Sequence, residues 1–180
     1  MRLAAIIVLA LVAAGCGGGD GDSGEEEAWA NEVCASIASW QTEVETIATD
    51  AAEAITEPGA TRDTLEAAIG NGLEATETLL EDLRGAVPPD TSEGDEAKAA
   101  VDAFLDDVSS ANDEVETALA DLPEAAGLAA IVAELSGLAT RLQTTIEGGR
   151  RLVTELTELG GAMKDAFENA DSCQELREPE

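Results

Sequence analysis

The 180-residue chain has no histidine, no tyrosine and only four aromatic residues, two Trp and two Phe. Without imidazole it lacks the most common general base, His-dependent catalytic triads and His metal ligands. Basic residues are also scarce, with nine Lys and Arg against 39 Asp and Glu, a formal charge of −30. Such a charge repels phosphates and excludes nucleic-acid binding. Serine-hydrolase, zinc-protease, P-loop and C-x-x-C motifs do not occur, so the sequence predicts a non-enzymatic protein without metal or cofactor.

One long apolar run stands at the start of the chain. Arg2 precedes twelve apolar residues, Leu3–Ala14, which is shorter than the about 20 residues of a membrane span but suits a secretory signal. The following Ala-Ala-Gly-Cys looks like the lipobox of bacterial lipoproteins, in which Cys16 is acylated and becomes the first mature residue. It departs from the usual pattern at Ala13, where Leu is typical. The sequence predicts a signal peptide over residues 1–15 and a lipid anchor; plain secretion and an uncleaved anchor are the alternatives.

A short flexible tether is expected to follow the anchor, over residues 16–24. Five of the eight residues from 17 to 24 are glycine, and such a segment spans about 15 Å on average. The folded domain, expected over residues 25–177 with a tail at 178–180, therefore lies close to the extracytoplasmic face of the membrane.

The domain shows helical periodicity and almost no strand pattern. Four long helices are indicated, separated by Pro58-Gly59, by Pro88-Pro89 and by the turn at Pro123. In the last helix, apolar or small residues alternate steps of three and four from Leu128 to Cys173, as in coiled-coil packing. Short connections favour antiparallel neighbours. The expected fold is all-α, an up-down bundle of four long helices plus a short C-terminal helix.

Three cysteines constrain this bundle. If Cys16 is acylated, Cys34 and Cys173 remain as an even pair in an oxidising compartment. We expect a disulfide between them; two buried free thiols are the alternative.

The disulfide requires a break in the last helix. Unbroken, that helix would place Cys173 roughly 30 Å from Cys34, whereas bridged Cα atoms lie within about 7 Å. A break at Gly160-Gly161 lets residues 162–177 fold back and brings the two cysteines level. A break at Gly148-Gly149 would send Cys173 to the wrong end. We therefore expect a short fifth helix after Gly160-Gly161, although the heptad pattern continues through this pair.

Two motifs at the ends of the domain resemble those of small lipoproteins from high-G+C Gram-positive bacteria. They are Trp29-Ala30-x-x-Val33-Cys34-x-x-Ile37-x-x-Trp40 and Ala166-Phe167-x-x-Ala170-x-Ser172-Cys173. The resemblance implies export, a helical fold and pairing of the first and last cysteines of the mature domain. It carries over no catalytic or binding residue.

The acidic face of the first and third helices is the candidate contact surface for a basic partner, and the clustered carboxylates of the third helix are also the candidate surface for a cation. These carboxylates are Asp106, Asp107, Asp113, Glu114 and Glu116. A solvated acidic face is the ordinary interpretation of such a cluster. Oxygen ligands also suit hard divalent cations, which gives the sharper alternative. The one basic cluster, Arg150-Arg151, is expected to pair with acidic residues of adjacent helices rather than to bind phosphate.

The leading hypothesis is a membrane-tethered, non-enzymatic module that binds an envelope protein or a basic ligand. The alternatives are a surface protein that binds divalent cations or cationic ligands, and a carrier of apolar ligands inside the bundle. Trp29 and Trp40 are expected in the core rather than in an aromatic ligand platform. A monomer is expected, with a homodimer through the long last seam as the alternative.

Overall fold

The computed structural model of the protein describes residues 23–56, 61–121 and 128–177. Outside these ranges lie the predicted signal peptide, Cys16, most of the predicted tether, the predicted helix breaks at Pro58-Gly59 and Pro123, and the tail. The described residues form helices and no strand, which confirms the all-α class. None of these helices is sufficiently long and apolar to cross a bilayer. In chain order they are α1 (Ser23–Thr56), α2 (Arg62–Gly85), α3 (Ser92–Ala120), α4 (Leu128–Glu158), α5 (Gly161–Asn169) and α6 (Asp171–Arg177).

α1 begins at Ser23, so the helical domain starts two residues before the expected position 25 and includes the end of the predicted tether. Glu25 and Glu26 lie in its first turn, where the positive end of the helix dipole favours carboxylates. The same chemistry explains why the helix extends into a segment that its glycine content assigned to the linker.

Threonine caps determine where the next helices begin. The side chain of Thr61 accepts a hydrogen bond from the N–H of Thr64 (3.3 Å) at the start of α2. Thr91 accepts one from the N–H of Gly94 (2.9 Å) at the start of α3, rather than the neighbouring Asp90 or Ser92. Each bond satisfies one backbone donor that the first turn leaves free.

Each long helix packs against the next one in the chain. The indole N–H of Trp40 in α1 donates to the hydroxyl of Thr76 in α2 across 3.2 Å. These two residues lie at similar distances along the chain from the α1–α2 connection, as an antiparallel pair requires. The complete up-down order of the four long helices stays a prediction.

The core is continuous and runs through all six helices. α1 contributes both tryptophans to this core, as the sequence predicted, and each is only 3% exposed. Trp29 and Trp40 are therefore core residues rather than an exposed platform. The buried apolar residues of α1 are Trp29, Ala30, Val33, Cys34, Ile37, Trp40 and Val44.

The predicted break between the fourth and fifth helices is confirmed. α4 ends at Glu158 and α5 begins at Gly161, whose φ of +64° lies in the left-handed region that favours glycine. The uninterrupted heptad pattern is overridden here because two successive glycines permit a turn that other residues resist.

The expected single fifth helix is wrong, because residues 162–177 contribute to two helices. Ala170 has an extended backbone (φ −61°, ψ 122°); its N–H closes α5 on the carbonyl of Ala166, and its own carbonyl accepts from the N–H groups of Cys173 and Gln174 in α6. Asp171 follows in the first turn of α6, where its charge suits the helix dipole. The bend allows α5 and α6 each to bury its own short apolar face.

Candidate functional site

A disulfide joins the beginning and the end of the folded domain. Cys34 in α1 and Cys173 in α6 have their sulfur atoms 2.00 Å apart and their Cα atoms 5.0 Å apart. Both residues are fully buried. The pairing predicted from the sequence is therefore present, and the alternative of two free thiols does not hold.

The residues around the disulfide come from the two sequence motifs at the ends of the domain. The rings of Trp29 and Phe167 meet edge to face with centroids 5.6 Å apart, a favourable aromatic geometry. The hydroxyl of Ser172 lies 3.1 Å from both the main-chain carbonyl and the side-chain oxygen of Asn31. The two motifs thus meet at one end of the bundle and hold α6 on α1.

Glu26 is a buried acidic residue whose burial the sequence does not predict. It is 3% exposed and lies one helical turn before Trp29, on the same face of α1. Within the described part of the chain, neither Glu26 Oε2 nor Trp29 Nε1 has a hydrogen-bond partner. The one sequence feature that indicates the burial of Glu26 is its helical spacing from Trp29 and Val33, on the apolar face of α1. Its position within a run of three glutamates instead suggests an exposed helix end.

Glu93 lies against the turn between α4 and α5. A Cβ atom built on Gly161 would be 3.4 Å from Glu93 Oε1. The backbone N–H of Glu93, followed by the hydroxyl of Ser92, lowers the pKa of this carboxyl below its usual 4.5. The hydroxyl of Ser92 donates to Glu93 Oε2 across 2.9 Å. The first turn of α3 therefore favours the ionised form of Glu93 beside the α4–α5 turn.

The candidate acidic surface on α3 is exposed along its length. This surface, here the α3 acidic face, comprises Asp106, Asp107, Asp113, Glu114 and Glu116. The step from 106 to 113 corresponds to about 10 Å along the helix. The described ranges contain no group of three or more acidic, Cys or His side chains placed to hold a metal ion. The structure thus leaves these residues as a charged surface and does not assemble them into a chelating site.

Basic side chains make short ion pairs within single helices. Lys98 contacts Asp102 at 2.6 Å, and Lys164 contacts Glu168 at 3.5 Å. Such exposed i,i+4 pairs contribute little to stability. Arg150 and Arg151 are both exposed. Neither arginine takes part in an ion pair with another residue in the described part of the chain. The predicted pairing of these arginines with adjacent helices is not seen in this part of the molecule.

Side chains fill the space between α1 and α4 at the level of Gly149. A Cβ atom built on Gly149 would lie 3.1 Å from Ile37 Cγ2 and 3.3 Å from Gln41 Nε2. Gln41 is itself buried and donates from Nε2 to the carbonyl of Ile146 across 3.3 Å. The space between α1 and α4 at this level is occupied by side chains, which gives no support to an apolar-ligand carrier.

No protein-family model matches this sequence, and no curated protein or solved structure is significantly similar to it.

Proposed function

We propose that the protein is a lipid-anchored helical lipoprotein on the extracytoplasmic face of the cell membrane, where it binds an envelope protein or a basic ligand without catalysing a reaction. The observation that carries this proposal is the buried disulfide between Cys34 and Cys173. Disulfides of this kind form and persist in oxidising compartments and are rare in the cytosol. The apolar segment that ends at Cys16 supplies the corresponding route out of the cell.

The anchor would act through the acyl chains on Cys16. A single acyl chain holds a protein on a membrane only reversibly, whereas several chains hold it stably. Because α1 begins at Ser23, a short segment would connect the anchor to the bundle. The binding surface would therefore face partners located near the membrane.

Binding through charge is favoured over binding through apolar contact. Among the side chains whose burial is described, Val87 is the one large apolar residue that is exposed, at 80%. The α3 acidic face is exposed, and the whole chain carries a formal charge of −30. Complementary charge accelerates encounter and selects partners, so we expect a partner with a basic contact surface.

The lipid anchor is tested by metabolic labelling with an alkyne-tagged palmitate, followed by membrane fractionation. We expect label on the wild-type protein and on Cys34→Ser, and no label on Cys16→Ser. The Cys34→Ser control separates loss of the acylation site from loss of a thiol elsewhere. An unlabelled wild-type protein in the cytosolic fraction would refute the proposal.

The binding surface is tested by carbodiimide cross-linking in intact cells, which couples carboxylates to the lysines of a bound partner. We expect the triple variant Asp106→Asn, Asp107→Asn and Asp113→Asn to lose a cross-linked product that the wild type forms. The matched control removes three exposed charges from α2, through Glu74→Gln, Glu77→Gln and Glu81→Gln, and should keep the product. Equal loss in both variants would show that net charge, and not the α3 acidic face, determines binding.

A further inference from the structure

The last two helices cover the first half of α1. We call residues 161–177, which comprise α5 and α6, the C-terminal strap. Both helices contact α1, and α5 also contacts α3 and α4. Phe167 meets Trp29, and the disulfide from Cys173 is the covalent link between the strap and α1.

The strap has little helical stability of its own. α5 has nine residues and α6 has seven, whereas isolated helices shorter than about 12 residues are marginal in water. The N-cap of α5 is Gly160, which has no side chain to cap the first turn. The free energy that orders the strap must therefore come from its contacts with the long helices.

Those contacts must offset the entropy that is lost when the strap becomes ordered. Six strap residues are buried: Met163, Ala166, Phe167, Ala170, Cys173 and Leu176. Two of them are alanines, and every ordered backbone residue opposes docking through lost conformational entropy. The disulfide reduces this cost because it keeps the strap beside α1 even when the noncovalent contacts open.

We propose that the Cys34–Cys173 disulfide controls the docking of the C-terminal strap, which acts as a redox-dependent cover over the apolar face of α1 around Trp29. When the disulfide forms, the thiols of Cys34 and Cys173 lose two protons and two electrons to an oxidant that is itself a disulfide and becomes a dithiol. A dithiol reductant reverses the step by thiol–disulfide exchange and is itself oxidised to a disulfide; because both cysteines are buried, it attacks the sulfur while the strap is transiently open. The inference goes beyond the proposed function, since it concerns the fold alone and needs no partner.

The reduced protein would keep its four long helices and lose the cover. Core residues such as Leu79, Val101 and Val108 come from α2 and α3, and the bond between Trp40 and Thr76 joins α1 to α2 away from the strap. Reduction would therefore expose Trp29 and leave Trp40 in place.

The first test uses the two tryptophans as separate reporters in the full-length protein purified in detergent. Trp40→Phe leaves Trp29 as the single emitter, and Trp29→Phe leaves Trp40. On reduction with dithiothreitol, Trp29 emission should shift to longer wavelength and become accessible to acrylamide, while Trp40 emission stays unchanged. A Trp29 signal that does not respond, or a Trp40 signal that changes together with it, overturns the proposal.

The second test needs no tryptophan substitution. Hydrogen exchange of the full-length wild type is compared with and without reductant. Amides of residues 161–177 should exchange at least about tenfold faster after reduction, and those of α2 should keep their protection. The double variant Cys34→Ser and Cys173→Ser should show the fast pattern with or without reductant. Unchanged protection of residues 161–177 in the reduced wild type contradicts the proposal.

Discussion

Single glycines determine how closely α4 approaches its neighbours. At Gly149 the space for a side chain is taken by Ile37 and Gln41. At the adjacent Gly148, a Cβ atom would meet the ring of Phe104 at an ordinary 3.6 Å. The two positions have the same helical backbone and opposite consequences for packing.

We expect Gly149→Ala to destabilise the protein and Gly148→Ala to stabilise it. Alanine gains about 1 kcal/mol over glycine in a helix interior, and overpacking costs about 1–3 kcal/mol. The net changes in the free energy of unfolding should be a loss of about 1 kcal/mol at 149 and a gain of up to about 1 kcal/mol at 148. Urea denaturation of both variants measures this, and equal stabilisation would show that α1 and α4 are not in close contact at Gly149.

The stability that Glu93 contributes to the fold should depend on pH. The pKa of its carboxyl is lowered in the folded protein. Ionised Glu93 therefore stabilises the fold at a pH above the usual pKa of 4.5. This contribution is lost as the pH falls through the lower pKa of the folded state. The wild type should therefore be more stable than Glu93→Gln at pH 7, and the difference should shrink as the pH falls below 4.5. Denaturation curves at a series of pH values test this; a constant difference contradicts it.

Some helix ends can be predicted from the sequence and others cannot. The break after α4 was predictable because Gly160-Gly161 and the distance between Cys34 and Cys173 both require it. The bend at Ala170 was not predicted, because neither glycine nor proline marks it and the heptad spacing continues through it, although Asn169, Asp171 and Ser172 are residues that favour helix caps and turns. Three adjacent residues around Thr91 could each cap α3, and only the folded geometry selects one.

We expect the N-cap of α3 to contribute measurably to the stability of the protein. Thr91→Ala removes the side-chain oxygen that accepts from the N–H of Gly94, which should lower the free energy of unfolding by about 1 kcal/mol. Thr117→Ala is the matched control on the same helix, since its exposed hydroxyl bonds only within the helix interior, to Asp113 O. Thermal unfolding should show a clear loss for the first variant and little change for the second. Equal effects would indicate that Thr91 has no capping role.

The candidate site could be predicted only in part. Cys34 and Cys173 were identifiable because cysteine chemistry limits their pairing. The burial of Glu26 was not, because an acidic residue beside other acidic residues normally indicates a solvated helix end. The α3 acidic face was visible in the sequence, but its failure to form a chelating group depends on three-dimensional spacing.

The molecule as a whole carries an excess of negative charge that opposes its own folding. Dissolved salt screens repulsion between exposed charges. We therefore expect the melting temperature to rise by about 3 °C between low and moderate sodium chloride, the equivalent of roughly 1 kcal/mol. Calcium chloride at matched ionic strength should give a similar increase, in accordance with the absence of a metal-holding group among the described residues. A flat response to both salts would contradict this; a much larger response to calcium would indicate a specific site.

One measurement examines export, the lipid anchor and the disulfide together. The protein is extracted from membranes, alkylated with and without prior reduction, and analysed by intact mass spectrometry. The account predicts a chain that begins at an acylated Cys16 and takes up two alkyl groups only after reduction, at Cys34 and Cys173. A chain that keeps residues 1–15 and is alkylated at all three cysteines without reduction would contradict it.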